Sequence, residues 1–207
     1  MATTKQSPEM SEGTLHHLVT AVLYTIVSII ALGVVYPFVI WAIGTLLFHH
    51  QAQGSLVYDK HGALIGSELV GQNFTKPQYF HGRPSAAGKG YDPTSTGGTN
   101  YGPTSKKLID STRSTIAALR KENPDATGPI PMDLVTSSAS GIDPDISPEG
   151  AAYQIPRVAK ARGMTNDAVR ALVAAHVRQR QFGLLGEPRV NVFELNRALD
   201  AQGVAPK

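Results

Sequence analysis

The sequence is constrained most by an apolar run of 31 residues, 18–48, which contains no Asp, Glu, Lys, Arg or His. Twenty-four of these residues are hydrophobic. A helix of this length would extend about 46 Å, against a bilayer hydrocarbon core of about 30 Å. The sequence therefore predicts one N-terminal transmembrane helix over residues 18–48, with a tail at residues 1–17 and a single domain at residues 49–207.

This run is predicted to be an uncleaved anchor. It is two to three times longer than the apolar region of a signal peptide, and Phe48-His49-His50-Gln51 lacks the small residues of a cleavage site. The flanking charges do not decide its orientation, because Lys5 is balanced by Glu9 and Glu12, and the next cation after the anchor is Lys60.

Four residues within the anchor favour contact with a partner helix. Gly33 and Gly44 allow two backbones to approach closely, Ser28 adds a small polar surface, and Pro37 is expected to bend the helix. A helix surrounded only by lipid does not need such residues.

The overall composition excludes several classes of function. The chain has no Cys, which excludes disulfide scaffolds, Cys-ligated metals and thiol catalysis. Its net charge of +3 is spread along the sequence, so no nucleic-acid-binding surface is predicted.

The domain after the anchor is predicted to be α+β. A short hairpin is expected around Gly62, followed by a loop over residues 82–103 that contains six Gly and three Pro. A helix is predicted over residues 104–122, and a short strand over residues 131–136.

The C-terminal third is predicted to be helical from its capping residues. Ser147 is expected to cap a helix that reaches Arg162 and is kinked or broken at Pro156. Gly163 would end that helix, and Thr165 would cap the next, which is predicted to extend to about residue 182. Asn191 is expected to cap a last helix over residues 192–200.

No residue is predicted to be catalytic, and no metal site is predicted. The carboxylates Asp143, Asp145 and Glu149 lie close in sequence, but capping and turn roles are favoured over cation binding. The turn 137–141 could bind an anion through its backbone amides, although an ordinary turn is favoured there too.

Several motifs in order resemble the C subunit of the Kdp-type potassium-transporting ATPase, over about residues 33–199. The motifs are Gly33-Val34-Val35-Tyr36-Pro37, Leu69-Val70-Gly71-Gln72-Asn73-Phe74, Tyr79-Phe80-His81-Gly82-Arg83-Pro84-Ser85, Ser140-Gly141-Ile142-Asp143, Ala151-Ala152-Tyr153-Gln154-Ile155-Pro156-Arg157 and Gly186-Glu187-Pro188-Arg189-Val190-Asn191-Val192.

The resemblance implies an accessory, non-catalytic subunit of a high-affinity potassium uptake complex in a bacterial or archaeal inner membrane. Its partners would be a K⁺-selecting channel-like subunit and a P-type ATP-hydrolysing subunit, with a further small membrane subunit as a third candidate. The N-terminus would be cytoplasmic and the domain at residues 49–207 extracytoplasmic.

The resemblance also implies a role as a catalytic chaperone that raises the ATP affinity of the hydrolysing subunit. The matching nucleotide-binding positions are Ser137, Ser138, Ser140, Gly141 and Gln154. An extracytoplasmic domain cannot bridge cytoplasmic ATP, however, so we favour the hypothesis that it forms an outer cap over the ion entrance.

Two other classes remain open from sequence. One is a stand-alone single-pass envelope protein that binds a ligand through the loop 82–103. The other is an independent enzyme, suggested by the proximity of Ser85 to His81 and of Asp143 to Asp145.

Overall fold

The computed structural model of the protein describes residues 10–202, which fall into two compact units that divide between Gln53 and Gly54. Gly13–Leu47 is the one helical stretch among the described residues that is long and apolar enough to cross a membrane. A small domain of helices and short antiparallel strands follows it. The predicted α+β class with a single N-terminal candidate span is thus confirmed.

The first unit consists of helix α1 (Met10–Ser28), a π-helical segment (Ile29–Val35), helix α2 (Tyr36–Leu47) and the short helix α3 (His49–Ala52). Helix α1 begins eight residues before the predicted start at residue 18. Residues 10–17 of the predicted tail are therefore helical, and they contain no proline to prevent it. Residues 1–9 of that tail lie outside the described part of the chain.

The π-helical segment ends two residues before Pro37. The Tyr36 amide donates to the Ala31 carbonyl, five residues back, instead of following the α-helical pattern. Proline has no N–H to donate, and its ring crowds the preceding turn. Pro37 is predicted to bend the helix, and the structure has a widened π-helical turn just before it.

Residues 54–202, the described part of the second unit, contain four helices, one 3₁₀ turn and five short strands. In chain order they are β1 (Leu56–Tyr58), β2 (Leu64–Ser67), α4 (Lys106–Glu122), the 3₁₀ turn (Met132–Leu134), β3 (Asp145–Ile146), α5 (Pro148–Arg162), α6 (Asn166–Ala175), β4 (Val177–Arg178), β5 (Arg189–Asn191) and α7 (Val192–Ala201). Strands β1 and β2 form the predicted hairpin, and β3, β5 and β4 form a three-stranded antiparallel sheet in that order.

The hydrophobic core lies among α5, α6, α7 and the three-stranded sheet. Its fully buried members include Val158, Val169, Val190, Leu195 and Leu199. Phe80, from a segment without regular structure, is also fully buried in this core.

Each predicted N-cap of the C-terminal helices is confirmed. Ser147 accepts a hydrogen bond from the Gly150 amide, Thr165 from the Ala168 amide and Asn191 from the Glu194 amide. Gly163 ends α5 with a positive φ of 67°, which glycine adopts without a Cβ penalty.

Two predicted elements are wrong. Residues 131–136 form no strand, because Met132–Leu134 is a 3₁₀ turn and Thr136 Oγ1 donates back to the Met132 carbonyl. Helix α6 ends at Ala175 instead of near residue 182, because the following β4 pairs with β5.

Helix α5 also differs from expectation, since it runs through Pro156 without the predicted break. The Ala152 carbonyl loses its intrahelical donor at this point. Ala152 is exposed, so water can satisfy its carbonyl.

Candidate functional site

The turn 137–141, a predicted nucleotide-binding element, is closed by its own hydroxyl groups. Ser138 Oγ accepts from the Gly141 amide at 2.8 Å, and Ser140 Oγ accepts from the Ile142 amide at 3.2 Å. The Ser137 carbonyl faces Arg83 Nη2 at 3.5 Å. Gly141 has a φ of 72°, which explains a glycine at this position.

Gln154, the other predicted nucleotide ligand, lies inside the domain and is only 1% exposed. Its Oε1 accepts from the His81 amide at 2.8 Å and from Arg157 Nη2 at 2.7 Å. Its Nε2 donates to the carbonyls of His81 and Gly150 at 3.0 and 3.2 Å. A nucleotide could bind Gln154 only if these bonds opened, and such binding stays a prediction.

Gln154 and the turn 137–141 bind neighbouring residues of one stretch of chain. Gln154 binds His81, and four residues later Ser85 Oγ donates to the Gly141 carbonyl at 2.5 Å. The two parts of the predicted site therefore hold neighbouring residues of one segment.

Residues 77–81, which we call the clamped segment, carry five consecutive carbonyl groups that each accept from a buried side chain. Arg157 Nη1 donates to Pro77 and Tyr79, and Arg162 Nε donates to Gln78. The Phe80 and His81 carbonyls accept from Asn196 and Gln154, respectively. Helices α5 and α7 thus replace the partner strand or helix turn that would ordinarily satisfy such carbonyls.

Sequence reasoning missed Arg157, Arg162 and Asn196 in this arrangement. Arg162 also pairs with Asp200 at 2.7 Å and stacks over the Tyr79 ring. The helical spacing of α5 could have identified two of the buried polar residues. Gln154 and Arg162 lie 3 and 11 residues after Ala151, so all three fall on the same buried face of the helix. Polar groups at core positions must be hydrogen-bonded.

Ser85 and Tyr91 hold the loop 82–103 together, and Ser85 also ties it to Gly141. Ser85 Oγ accepts from the amides of Ala87 and Tyr91, while it donates to Gly141. Tyr91 Oη donates to the Arg83 carbonyl at 2.6 Å, and burial together with the Asp143 charge raises the pKa of this phenol to about 12. The loop has no regular secondary structure, but the Ser85–Gly141 hydrogen bond and the Arg83–Asp143 ion pair join it to the rest of the domain.

An open groove of about 500 Å³ lies between this region and α4. Two residues that line it are in contact, His81 Nδ1 with Glu122 Oε1 at 3.2 Å, and the hydrogen bond from His81 lowers the pKa of Glu122 below its usual range. The residues suggested for an independent enzyme, Ser85 and His81, thus hydrogen-bond different partners, Gly141 and Glu122.

The acidic residues near the sheet are engaged in ion pairs and turns. Asp143 pairs with Arg83 at 3.0 Å and accepts from the Asp145 amide, and Asp145 pairs with Arg189 at 2.9 Å. Glu149 is exposed in the first turn of α5. Within residues 10–202, no group of three or more His, Cys, Asp or Glu side chains is placed to hold a metal ion.

The predicted partner-facing residues of the anchor lie along its helical stretch. Ser28 ends α1, Gly33 lies in the π-helical segment, and Pro37 and Gly44 lie in α2. A Cβ built at Gly33 would approach Ile29 Cγ2 no closer than 3.9 Å, and one at Gly44 would lie 4.0 Å from Ala52. Packing among the described residues therefore does not require glycine at either position, and partner contact stays a prediction.

Comparison with known proteins gives a match over most of the chain. The family described as K⁺-transporting ATPase, c chain (KdpC) matches residues 18–201. The potassium-transporting ATPase KdpC subunit of Koribacter versatilis (strain Ellin345) is 49% identical over 191 residues, covering 92% of this chain and 96% of that protein.

Two further relatives are equally similar. The KdpC subunit of Acidobacterium capsulatum is 52% identical over 186 residues, covering 90% of this chain and 98% of its own length. The KdpC subunit of Caulobacter vibrioides (strain NA1000 / CB15N) is 50% identical over 188 residues, covering 91% of this chain and 94% of its own length. The resemblance found from the motifs is confirmed, and the chain belongs to the KdpC family, the c chain of the K⁺-transporting ATPase.

Proposed function

We propose that this subunit has no catalytic centre of its own and acts as an extracytoplasmic cap that covers the ion entrance and stabilises the potassium-transporting complex. The observation that carries this proposal is the internal use of the domain's polar groups. Gln154, Ser85 and Ser138 all bind backbone groups of their own domain. Such an arrangement suits a preformed docking body better than an open reaction centre.

The proposed orientation places the N-terminus in the cytoplasm and the domain outside the inner membrane. Long domains downstream of an anchor are translocated largely regardless of their charge. The candidate span Gly13–Leu47 and the immediate start of the second unit at Gly54 are compatible with this topology.

The proposed partners are a K⁺-selecting channel-like subunit and a P-type ATP-hydrolysing subunit, with a further small membrane subunit as a third candidate. One helix cannot enclose a pore, and residues 18–48 contain no ionisable side chain of Asp, Glu, Lys, Arg or His. Ion selection and ATP hydrolysis are therefore assigned to those partners, and this subunit supports them.

A topology measurement tests the cap directly, because the chain has no native Cys. Ser95→Cys places a thiol at an exposed position of the loop 82–103. A membrane-impermeant maleimide that passes the outer membrane should label it in intact cells. Ser7→Cys, in the N-terminal tail, is the matched control and should be labelled only after lysis.

The cap would be overturned if Ser95→Cys were labelled only after lysis and denatured spheroplasts showed that the thiol was not merely shielded outside the membrane. That result would instead favour the chaperone hypothesis, in which Ser137, Ser138, Ser140, Gly141 and Gln154 contact ATP. A second measurement removes residues 54–207 at the boundary between the two units. Unchanged K⁺ affinity, turnover and complex yield in that truncation would also contradict the proposal.

A further inference from the structure

The arm between β4 and β5 presents the most exposed aromatic side chain described in the second unit. Phe182 is 96% exposed, Leu184 75% and Leu185 56%. We call residues 182–185 the apolar tip. Exposed apolar clusters of this kind mark interaction surfaces more often than isolated apolar residues do.

The backbone of the arm fixes the shape of the tip. Gln181 and Leu185 exchange two backbone hydrogen bonds, each of 2.9 Å, and the Leu184 amide also donates to Gln181. Phe182 has a φ of 54°, a left-handed conformation that is uncommon for an aromatic residue. Because the loop is closed by its own hydrogen bonds, it would lose little conformational entropy on docking.

The charges beside the tip argue against a lipid headgroup as its partner. The arginines that flank it are Arg178, Arg180 and Arg189, and each pairs with a carboxylate of the same chain. These carboxylates belong to Glu194, Glu187 and Asp145, respectively. Membrane-surface elements ordinarily combine apolar side chains with cations that are available to anionic lipids. A neutral, rigid aromatic tip fits a protein pocket better.

We propose that the apolar tip inserts into an apolar pocket on another subunit of the K⁺-transporting ATPase, with Phe182 as its anchor. This inference rests on the proposed function, because it requires the chain to assemble with partner subunits. Aromatic side chains that fill a desolvated pocket dominate the binding energy of many interfaces, and the surrounding contacts mainly exclude water.

Photo-crosslinking in the intact complex identifies the occupant. The full chain carries Phe182→benzoylphenylalanine, and Met132→benzoylphenylalanine serves as a control at an exposed apolar residue of the 3₁₀ turn. Irradiation should join position 182 to another subunit of the transporter, identified by mass spectrometry, and the Met132 variant should give little of that adduct. An adduct with lipid, an adduct with a second copy of the chain, or no adduct at position 182 would each overturn the inference.

Substitution gives an independent measurement. Truncating an interface anchor weakens association by about 30-fold or more, so Phe182→Ser with Leu184→Ser should reduce the co-purified partner subunits at least tenfold. Met132→Ser should leave the yield unchanged. Equal yields from the double variant and wild type would overturn the inference.

The same preparation separates failure of the inference from failure of the proposed function. If the wild-type chain does not co-purify with other transporter subunits, both are wrong. If the wild-type chain co-purifies and the tip variants behave as it does, the subunit role stands and only the contact through Phe182 is wrong.

Discussion

Gln154 binds both backbone groups of His81, accepting from its amide at 2.8 Å and donating to its carbonyl at 3.0 Å. Asn196 likewise accepts from the Phe80 amide at 2.8 Å and donates to the Phe80 carbonyl at 2.9 Å. A carboxamide side chain has the same donor and acceptor groups as a peptide unit. Two such side chains, from α5 and α7, therefore pair with consecutive residues of the clamped segment.

Gln154→Ala should destabilise the second unit by about 3 kcal/mol, because it leaves the half-buried amide and carbonyl of His81 without their Gln154 partner and removes an acceptor of the buried Arg157. Chemical unfolding of the detergent-solubilised full chain would measure the change in unfolding free energy. Gln179→Ala, at an exposed position of the arm, should change it by no more than about 0.5 kcal/mol. If the two variants were equally stable, the structural role assigned to Gln154 would be wrong.

Gly141→Ala should be destabilising by about 2 kcal/mol or more, since the residue has a positive φ and no room for a Cβ. An added Cβ would lie 2.7 Å from Ala87 Cβ and 2.8 Å from the Gly97 carbonyl oxygen. The contacts of the loop 82–103 with the turn should loosen, and limited proteolysis within this loop should become faster.

Gly102→Ala is the matched control for Gly141→Ala, because within residues 10–202 an added Cβ there would meet no atom within 4 Å apart from its own chain neighbours. This control should keep the wild-type proteolysis rate. Cleavage of both variants at one rate would show that the turn does not restrain the loop.

Tyr91 should make stability fall at high pH. Its pKa is raised from about 10 in unfolded chains to about 12, so folding favours the neutral phenol. The resulting stabilisation is fully present below pH 10 and is lost as the pH rises through 12. Unfolding free energies measured between pH 9 and 11 should therefore decline more steeply for the wild type than for Tyr91→Phe.

Tyr91→Phe should also lose about 1 kcal/mol at neutral pH, because the hydrogen bond to the Arg83 carbonyl is removed. Tyr101→Phe changes an exposed tyrosine and should keep the wild-type dependence on pH. A slope for Tyr91→Phe as steep as the wild type would assign the alkaline loss to other groups.

Gly33→Leu should reduce co-purification of partner subunits without unfolding the chain. The nearest atom to an added Cβ is Ile29 Cγ2 at 3.9 Å, so a loss of assembly would report a neighbouring helix. Ala31→Leu adds bulk two residues away, on a different face of the helix, and should be tolerated. Equal assembly of both variants would remove Gly33 from the predicted interface.

The starts of α5, α6 and α7 and the single candidate span were predictable because their signals are local. Ser147, Thr165 and Asn191 each cap within three residues of themselves, and the apolar run needs only its length. The end of α6 was missed because β4 is formed by pairing with β5, and a two-residue strand carries no periodicity.

The spacing on α5 could mark Gln154 and Arg162 as buried polar residues, but no local signal could show which backbone groups they bind. His81 and Gln154 lie 73 positions apart, and Phe80 and Asn196 lie 116 apart. The family resemblance singled out Gln154 but implied nucleotide binding. In the structure this buried side chain makes four hydrogen bonds within its own domain, which stabilise the fold. The other donors to the clamped segment, Arg157, Arg162 and Asn196, become evident only from the positions of α5 and α7 in the structure.

Because a particular side chain recognises each carbonyl from residue 77 to 81, the clamped segment has a single alignment along its helices. A slip of one residue would move Phe80 out of the core and bring Tyr79 or His81 into its place. Sheet ladders repeat and can slide by two residues, but this pattern of Arg, Asn and Gln donors does not repeat. A single-residue insertion or deletion within 77–81 should therefore be far less tolerated than one at the exposed residues 93–96 of the loop 82–103.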